Sequence, residues 1–204
     1  MEITSAMVKE LRDKTGAGIM DCKSALQETG GDLEEAVTAL RKKGLAAAAK
    51  KAGRATSEGL IHSYIHAGGK LGVLLEVNCE TDFVARTEQF RELVHCLAMH
   101  VAAAEPRFVG KDDVTEADLE REREIFSEQA RATGKPDHVI AKIVDGKMGK
   151  FYTQVCLLEQ PYVRDPDKTV GTLIQEAIAA LGENIHVKRF ERFKLGEDAG
   201  GRGA

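Results

Sequence analysis

Tryptophan is absent from the 204 residues, and the chain has only 7 Phe and 3 Tyr. With so few rings, a Phe set among polar neighbours carries information that it would not carry in an aromatic-rich chain. Cysteine is scarce too. Cys22, Cys79, Cys96 and Cys156 stand singly, with no CxxC pair and none of the spacing of a small secreted scaffold. Four reduced thiols acting as small apolar packing residues are expected. Long hydrophobic runs are missing. The longest, such as LAMHVAAA at 97–104, is broken by a histidine and falls far short of a membrane span. Glu2 occupies the place of a basic leader region and no apolar segment follows it, so no secretory signal is expected and the predicted location is cytoplasmic. Signature motifs of catalysis are lacking as well. There is no Walker A loop, no GxGxxG after a strand, no GxSxG and no HExxH. The GAG at 16–18 has neither the lysine nor the preceding strand of a phosphate loop.

What is present describes a folded chain. Hydrophobic residues make up 43% and charged residues 30%, enough for one good core with a small satellite domain. The net charge of −4 argues against a protein that coats nucleic acid. The balance is uneven, because residues 1–56 hold 10 Lys/Arg against 8 Asp/Glu while the remainder is acidic.

Residues 4–44 read as three short helices. SAMVKELRDKT turns Val8 and Leu11 inward and stops at Gly16 and Gly18. MDCKSALQETG spaces Cys22, Ala25 and Leu26 helically and stops at Gly30 and Gly31. A third helix opens on Asp32 with Glu35 three residues on, the pattern of a capping box, and buries Leu33, Ala36, Val37 and Leu40. The AL…GGD…AV..L cadence of this region is similar to the ubiquitin-associated type of three-helix bundle, a docking fold whose surface must supply the function. Residues 41–54 then hold six basic residues and no acidic one in an Ala-rich stretch, read as a helical linker over 45–56.

From residue 57 the period changes to two. GLIHSYIHA sets Ile61 and Ile65 against His62, Tyr64 and His66, and KLGVLLEVNCE returns after Gly68-Gly69 as a more buried strand. One wet face, carrying the histidines, is expected. Phe90, Leu93, Val94, Leu97, Ala98 and Val101 form a helical stripe that ends before Pro106. Further helices are predicted from about Glu116 to Ala132, from Pro136 toward Leu158, and over DKTVGTLIQEAIAALGENI with Gly182 as its cap. IHVKRFERFKL is a last strand, and 196–204 reads as a flexible tail. The fold class is therefore α+β: a three-helix bundle (1–44), then an antiparallel sheet packed with helices on one side (57–195).

Metal chemistry can be drawn only from His62 with His66 on one strand face, or Cys96 with His100 one helical turn apart. Neither pair has a metal-site signature, so no metal and no cofactor are expected. Phe83 remains to be explained. It follows Glu80, Thr81 and Asp82 and precedes Arg86, Thr87 and Glu88, so a bulky apolar side chain stands in a polar junction between strand and helix. Such a ring is either a core aromatic or a contact aimed at a partner, and the polar context favours the partner.

NCETDFVAR, with TGAGIMDCKSAL near the start, AAAKKAGR in the linker and LAMHVAAAEPRFV after the strand exit, resembles the bacterial translation elongation factor Ts family. GKPDHVIAKIVDGKMGKFY, LLEQPYV and KTVGTLIQEAIAALGENIHVKRFERFKLGE are similar too, so the resemblance runs from about residue 3 to 197. It implies a guanine nucleotide exchange factor for the GTPase elongation factor Tu, with no bond made or cut. It also implies that Thr81, Asp82, Phe83 and Val84 enter the GTPase near its magnesium and nucleotide, with Phe83 as a wedge and Asp82 making polar contacts beside it. Ile19, Met20, Lys23 and His100 are the other contacts it implies. Two departures stand out: Ile19 replaces the family's common Met, and the chain is shorter than members with a second core subdomain and a coiled-coil insertion. A single core that leaves sheet surface uncovered predicts a homodimer. Rival readings from the residues are an RNA- or ribosome-binding factor using 41–54, a small hydrolase built on the histidine pairs, and a general adaptor using the N-terminal bundle.

Overall fold

Thr4 opens the first ordered helix by accepting a hydrogen bond from the Met7 N–H on its hydroxyl. The computed structural model describes residues 3–197, so the expectation for 198–204 lies outside the described residues. Helix α1 (Ser5–Thr15) ends at Gly16 in the left-handed region, φ 67°, which glycine adopts without strain. Helix α2 (Ile19–Glu28) follows, and Asp32 then caps α3 (Leu33–Lys51) through the Glu35 N–H at 2.9 Å. Leu11, Cys22, Ala25, Leu26, Ala36 and Leu40 form the core of these helices, with Val8, Leu33 and Val37 packed against it. Asp21 and Lys43 tie α2 to α3 across the surface at 2.7 Å.

The basic Ala-rich stretch does not begin a new element. It prolongs α3 to Lys51, buries Ala48, and brings Gly44 against α8 (Val170–Leu181), where a Cβ on Gly44 would lie 3.1 Å from the Ala179 Cβ. Arg41 and Glu176 face one another beside this contact at 3.9 Å.

A three-stranded sheet has the order β1-β2-β5, from β1 (Glu58–Ile65), β2 (Leu71–Cys79) and β5 (Ile185–Lys194). β1 and β2 form the expected hairpin, closed by the His66 N–H to the Leu71 carbonyl with Gly68 and Gly69 at positive φ. The chain divides into two compact units, and each takes part of every strand of this sheet. In the first unit (1–61, 76–94, 172–187), Val77 and Cys79 of β2, Phe90 and Val94 of α5 (Glu88–Ala104), and Ile174, Ile178, Ile185 and Val187 are all buried.

In the second unit (62–75, 95–171, 188–204), Leu97, Ala98 and Val101 of α5 are buried, as are Val73 and Leu75 of β2. Helices α6 (Glu116–Arg131) and α7 (Asp137–Val155) pack as a hairpin over Val114, Met148, Phe151 and Cys156, with Phe126 and Tyr152 against them. Thr115 caps α6 as its spacing predicts, accepting from the Asp118 N–H and donating to the Asp118 carboxylate. Helix α7 stops at Val155, and a 3-10 turn (Leu157–Glu159) replaces the expected extension to Leu158. A small antiparallel pair, β3 (Pro161–Tyr162) and β4 (Asp165–Thr169), lies in a stretch whose strands are too short to show periodicity.

One expectation is reversed. Ile61 is 67% exposed and Ile65 is 66% exposed, whereas His62 and Tyr64 turn inward toward α5. The His62 and His95 rings meet edge to face and hydrogen-bond at 3.2 Å, and the Tyr64 ring also meets His95 edge to face. A ring partner on α5 thus makes the inward face partly polar, and hydropathy alone chose the wrong side of this strand.

Candidate functional site

Thr81 and Thr87 act in series. Thr81 is the N-cap of a four-residue helix, α4 (Asp82–Ala85), its hydroxyl accepting from the Val84 N–H at 3.4 Å. Thr87 accepts from the Phe90 N–H at 3.2 Å and so opens α5, while its hydroxyl donates to the Val84 carbonyl at 2.8 Å. Two caps six residues apart leave the single turn between them little freedom. Its inner face is Val84 and Ala85, 6% and 5% exposed, and its outer face is Asp82 and Phe83.

Phe83 is 79% exposed, the highest value among the described large hydrophobic side chains. Burying such a ring would contribute about 2 kcal/mol, and the isolated chain leaves that unrealised. Asp82 is held beside it by Arg86 one turn on, at 2.8 Å, and both side chains are largely in solvent. Screening makes this pair weak, so it orients the carboxylate more than it stabilises the fold.

Of the other residues named from the sequence, Ile19 and Met20 stand exposed at the start of α2, Met20 at 74%, with Lys23 exposed one turn along. His100 lies elsewhere, 0% exposed inside the second unit. The Val163 N–H points at its Nδ1 at 3.3 Å, so that nitrogen accepts and Nε2–H donates to Gln160 Oε1 at 2.9 Å. Gln160 in turn donates to the carbonyls of Ala104 and Gln154. Burial holds the imidazole below the ordinary histidine range, partly opposed by the bond to Gln160. His62 is lowered as well, by burial and by the neighbouring His95.

The paired residues that suggested a metal site are engaged with other groups. His66 bonds to the Tyr64 hydroxyl and Cys96 accepts from Arg164. Among the described residues, no three His, Cys, Asp or Glu side chains gather as a metal ion would require. All four cysteines are buried free thiols, and burial pushes Cys156 up to about 11, which leaves it protonated and unreactive at neutral pH.

The exposed turn sets the Phe83 ring beside the Asp82 carboxylate on a doubly capped backbone. The sequence profile of the family described as Elongation factor TS matches residues 2–197. The chain belongs to the elongation factor Ts family. Elongation factor Ts of Koribacter versatilis is 62% identical over 197 residues, covering 97% of this chain and 90% of that protein. That of Geobacter metallireducens is 61% identical over 197 residues, with 97% and 91% covered. That of Solibacter usitatus is 58% identical over 199 residues, with 98% and 94% covered.

In this member of the family the α4 turn has supports that the sequence pattern does not reveal. Glu183 accepts from the Glu80 N–H at 3.1 Å, the Thr81 N–H at 3.0 Å and the Thr81 hydroxyl at 2.6 Å. Glu80 in return accepts the Asn184 N–H at 2.6 Å, and the Asn184 amide donates to the carbonyls of Ala52 and Arg54. Thr81 and Glu183 lie 102 residues apart in sequence and Asn184 and Ala52 lie 132 apart, so no local pattern connects them.

Proposed function

We propose that this chain is a guanine nucleotide exchange factor for the GTPase elongation factor Tu, and that the α4 turn is what it inserts. The observation that carries the reading is Phe83, an almost fully exposed ring on a doubly capped turn in a member of the elongation factor Ts family. A GTPase holds GDP through a phosphate-cradling loop and magnesium, so its conformation there is coupled to nucleotide affinity. A factor that binds best to the arrangement with those contacts broken weakens nucleotide binding, and nucleotide weakens factor binding equally. Phe83 supplies the apolar wedge, Asp82 the polar contact beside it, and Thr81 and Val84 hold the turn from its cap and its buried side. Asp82 disturbs magnesium indirectly, through the partner's own residues, because a carboxylate that only ligated the ion would compete poorly with phosphate.

Ile19, Met20 and Lys23 form a second contact surface on α2 for the same GTPase. His100, buried as it is, serves the contact by fixing the backbone at Val163. No cofactor or nucleic acid takes part, and exchange proceeds in the cytoplasm. No helix among the described residues is long and apolar enough to cross a membrane.

The second partner is another copy of this chain. Ile65, Leu74 and Phe193 are exposed on strands of the second unit, Leu74 alternating with the buried Val73 and Leu75, and Leu195 is exposed just past the end of β5. Gly72 lies among them, close enough to Ile65 that a Cβ there would meet its Cδ1 at 2.9 Å. An apolar sheet face of this kind is covered by a like face in a homodimer.

The test of exchange is stopped-flow release of fluorescent GDP from elongation factor Tu against excess unlabelled nucleotide. The wild-type chain accelerates release. Phe83→Ala, folded as judged by its melting curve, requires roughly thirtyfold more protein or more for the same effect, as for a truncated aromatic anchor. Unchanged release in the presence of folded wild-type chain overturns the reading.

A further inference from the structure

The α4 turn is exposed, four residues long and apolar at its tip, and such a turn frays unless something outside it holds its entry. The hydroxyl of Thr81 has one hydrogen and must do two things. As N-cap it has to offer a lone pair to the Val84 N–H, which requires its hydrogen to point elsewhere. That hydrogen goes to the Glu183 carboxylate at 2.6 Å, a short bond to an acceptor-only group. The other carboxylate oxygen takes both preceding backbone donors, Glu80 N–H and Thr81 N–H.

We propose that Glu183 is a positioning residue for exchange: it orients Thr81 and thereby preorganises the turn that presents Asp82 and Phe83. The assignment rests on the exchange function proposed above. The hydrogen bonds of Glu183 go to the entry of the turn, at Glu80 and Thr81. Its place in the chain, just past the Gly182 cap of α8, lets the end of that helix fix the entry to α4. The reciprocal bond from the Asn184 N–H to Glu80, and the Asn184 amide on the carbonyls of Ala52 and Arg54, hold Glu183 in register. A partner that meets an ordered turn loses less freedom on binding than one that must order it.

Replacement of Glu183 therefore acts through Phe83, which separates positioning from general stability. In the GDP-release assay, Glu183→Ala raises the concentration for half-maximal release about tenfold, a loss of the size that disordering a binding segment produces. The maximal rate changes little. Glu183→Gln keeps an acceptor for the two backbone N–H groups but cannot accept the Thr81 hydrogen with its amide, so it falls between wild type and Glu183→Ala. Nearly isosteric, it also keeps the question answerable should the alanine variant fold poorly. In a Phe83→Ala background the same Glu183 changes have almost no further effect, a non-additivity that a loss of folded protein does not produce. Amide hydrogen exchange in the free protein shows Glu80 and Thr81 losing protection in both variants, Glu183→Ala more than Glu183→Gln.

An active wild type whose Glu183→Gln and Glu183→Ala forms titrate like it overturns the assignment, as does a Glu183 effect fully additive with Phe83→Ala. A folded wild type that leaves GDP release unchanged overturns the exchange reading, and this assignment falls with it.

Discussion

Phe83 and Val84 are adjacent in sequence and opposite in environment, so truncation separates binding from folding. Phe83→Ala removes a ring already in water, and its stability changes by less than about 0.5 kcal/mol, as at an ordinary surface site. Val84→Ala deletes buried methyl groups and lowers stability by about 1–2.5 kcal/mol in a urea melt. Equal losses from the two would show that the turn does not hold Phe83 outward. At His100 the expected signature is in pH. The imidazole is held low in the folded chain by burial, so around and below the ordinary value of 6.5 the unfolded chain binds more protons than the folded one. Stability is intact above that value and falls as pH drops through it, until the folded group itself titrates. His62, low for the same reason, adds to the fall. Melting temperatures at pH 8 and pH 5.5 measure it, and His100→Gln flattens the slope while losing stability at both pH values, because a buried acceptor or donor is left unmatched.

At the scale of elements, two glycines set close approaches. Gly59 in β1 has φ 148°, and a Cβ there would collide with the Val77 carbonyl oxygen, a backbone atom that cannot turn aside. Gly59→Ala therefore costs about 3 kcal/mol or more, from strain and overpacking together, and a denaturant melt reads it directly. A variant as stable as wild type would mean that β1 can shift along its neighbour. Gly44 is a milder case. Alanine gains helix propensity there but meets Ala179 at 3.1 Å, and a Cβ fixed to a helix backbone has no rotamer through which to yield. The small residues on α3 and α8 thus explain why an Ala-rich basic stretch that reads as a helical linker packs against α8.

For the whole molecule, association is the property at stake. Ile65→Lys places a charge within the apolar face formed with Leu74, Phe193 and Leu195 on the second unit. Because Ile65 is 66% exposed in the isolated chain, the substitution leaves the fold intact. Sedimentation at micromolar concentration gives twice the chain mass for wild type and the chain mass for Ile65→Lys. A wild type at the single-chain mass of 22.2 kDa removes the homodimer.

The sequence by itself determined what depends on near neighbours. Helical stripes placed α1 to α3 and α5 to α8 closely, though not the four-residue α4, caps were legible at Asp32 and Thr115, and the resemblance carried by NCETDFVAR pointed to the family that the profile match establishes. Phe83 could be singled out because a ring among polar residues is a local anomaly, whereas Thr81 and Asp82 were named through the family resemblance. Only the tertiary structure decided which side of β1 is covered, since a ring on α5 outweighed hydropathy at His62 and Tyr64. It alone put His100 inside, against Gln160 and Val163. It alone brought Glu183 and Asn184 to the entry of α4, because a hydrogen bond spanning about a hundred residues is made by the closing of the sheet and leaves no periodicity in the chain.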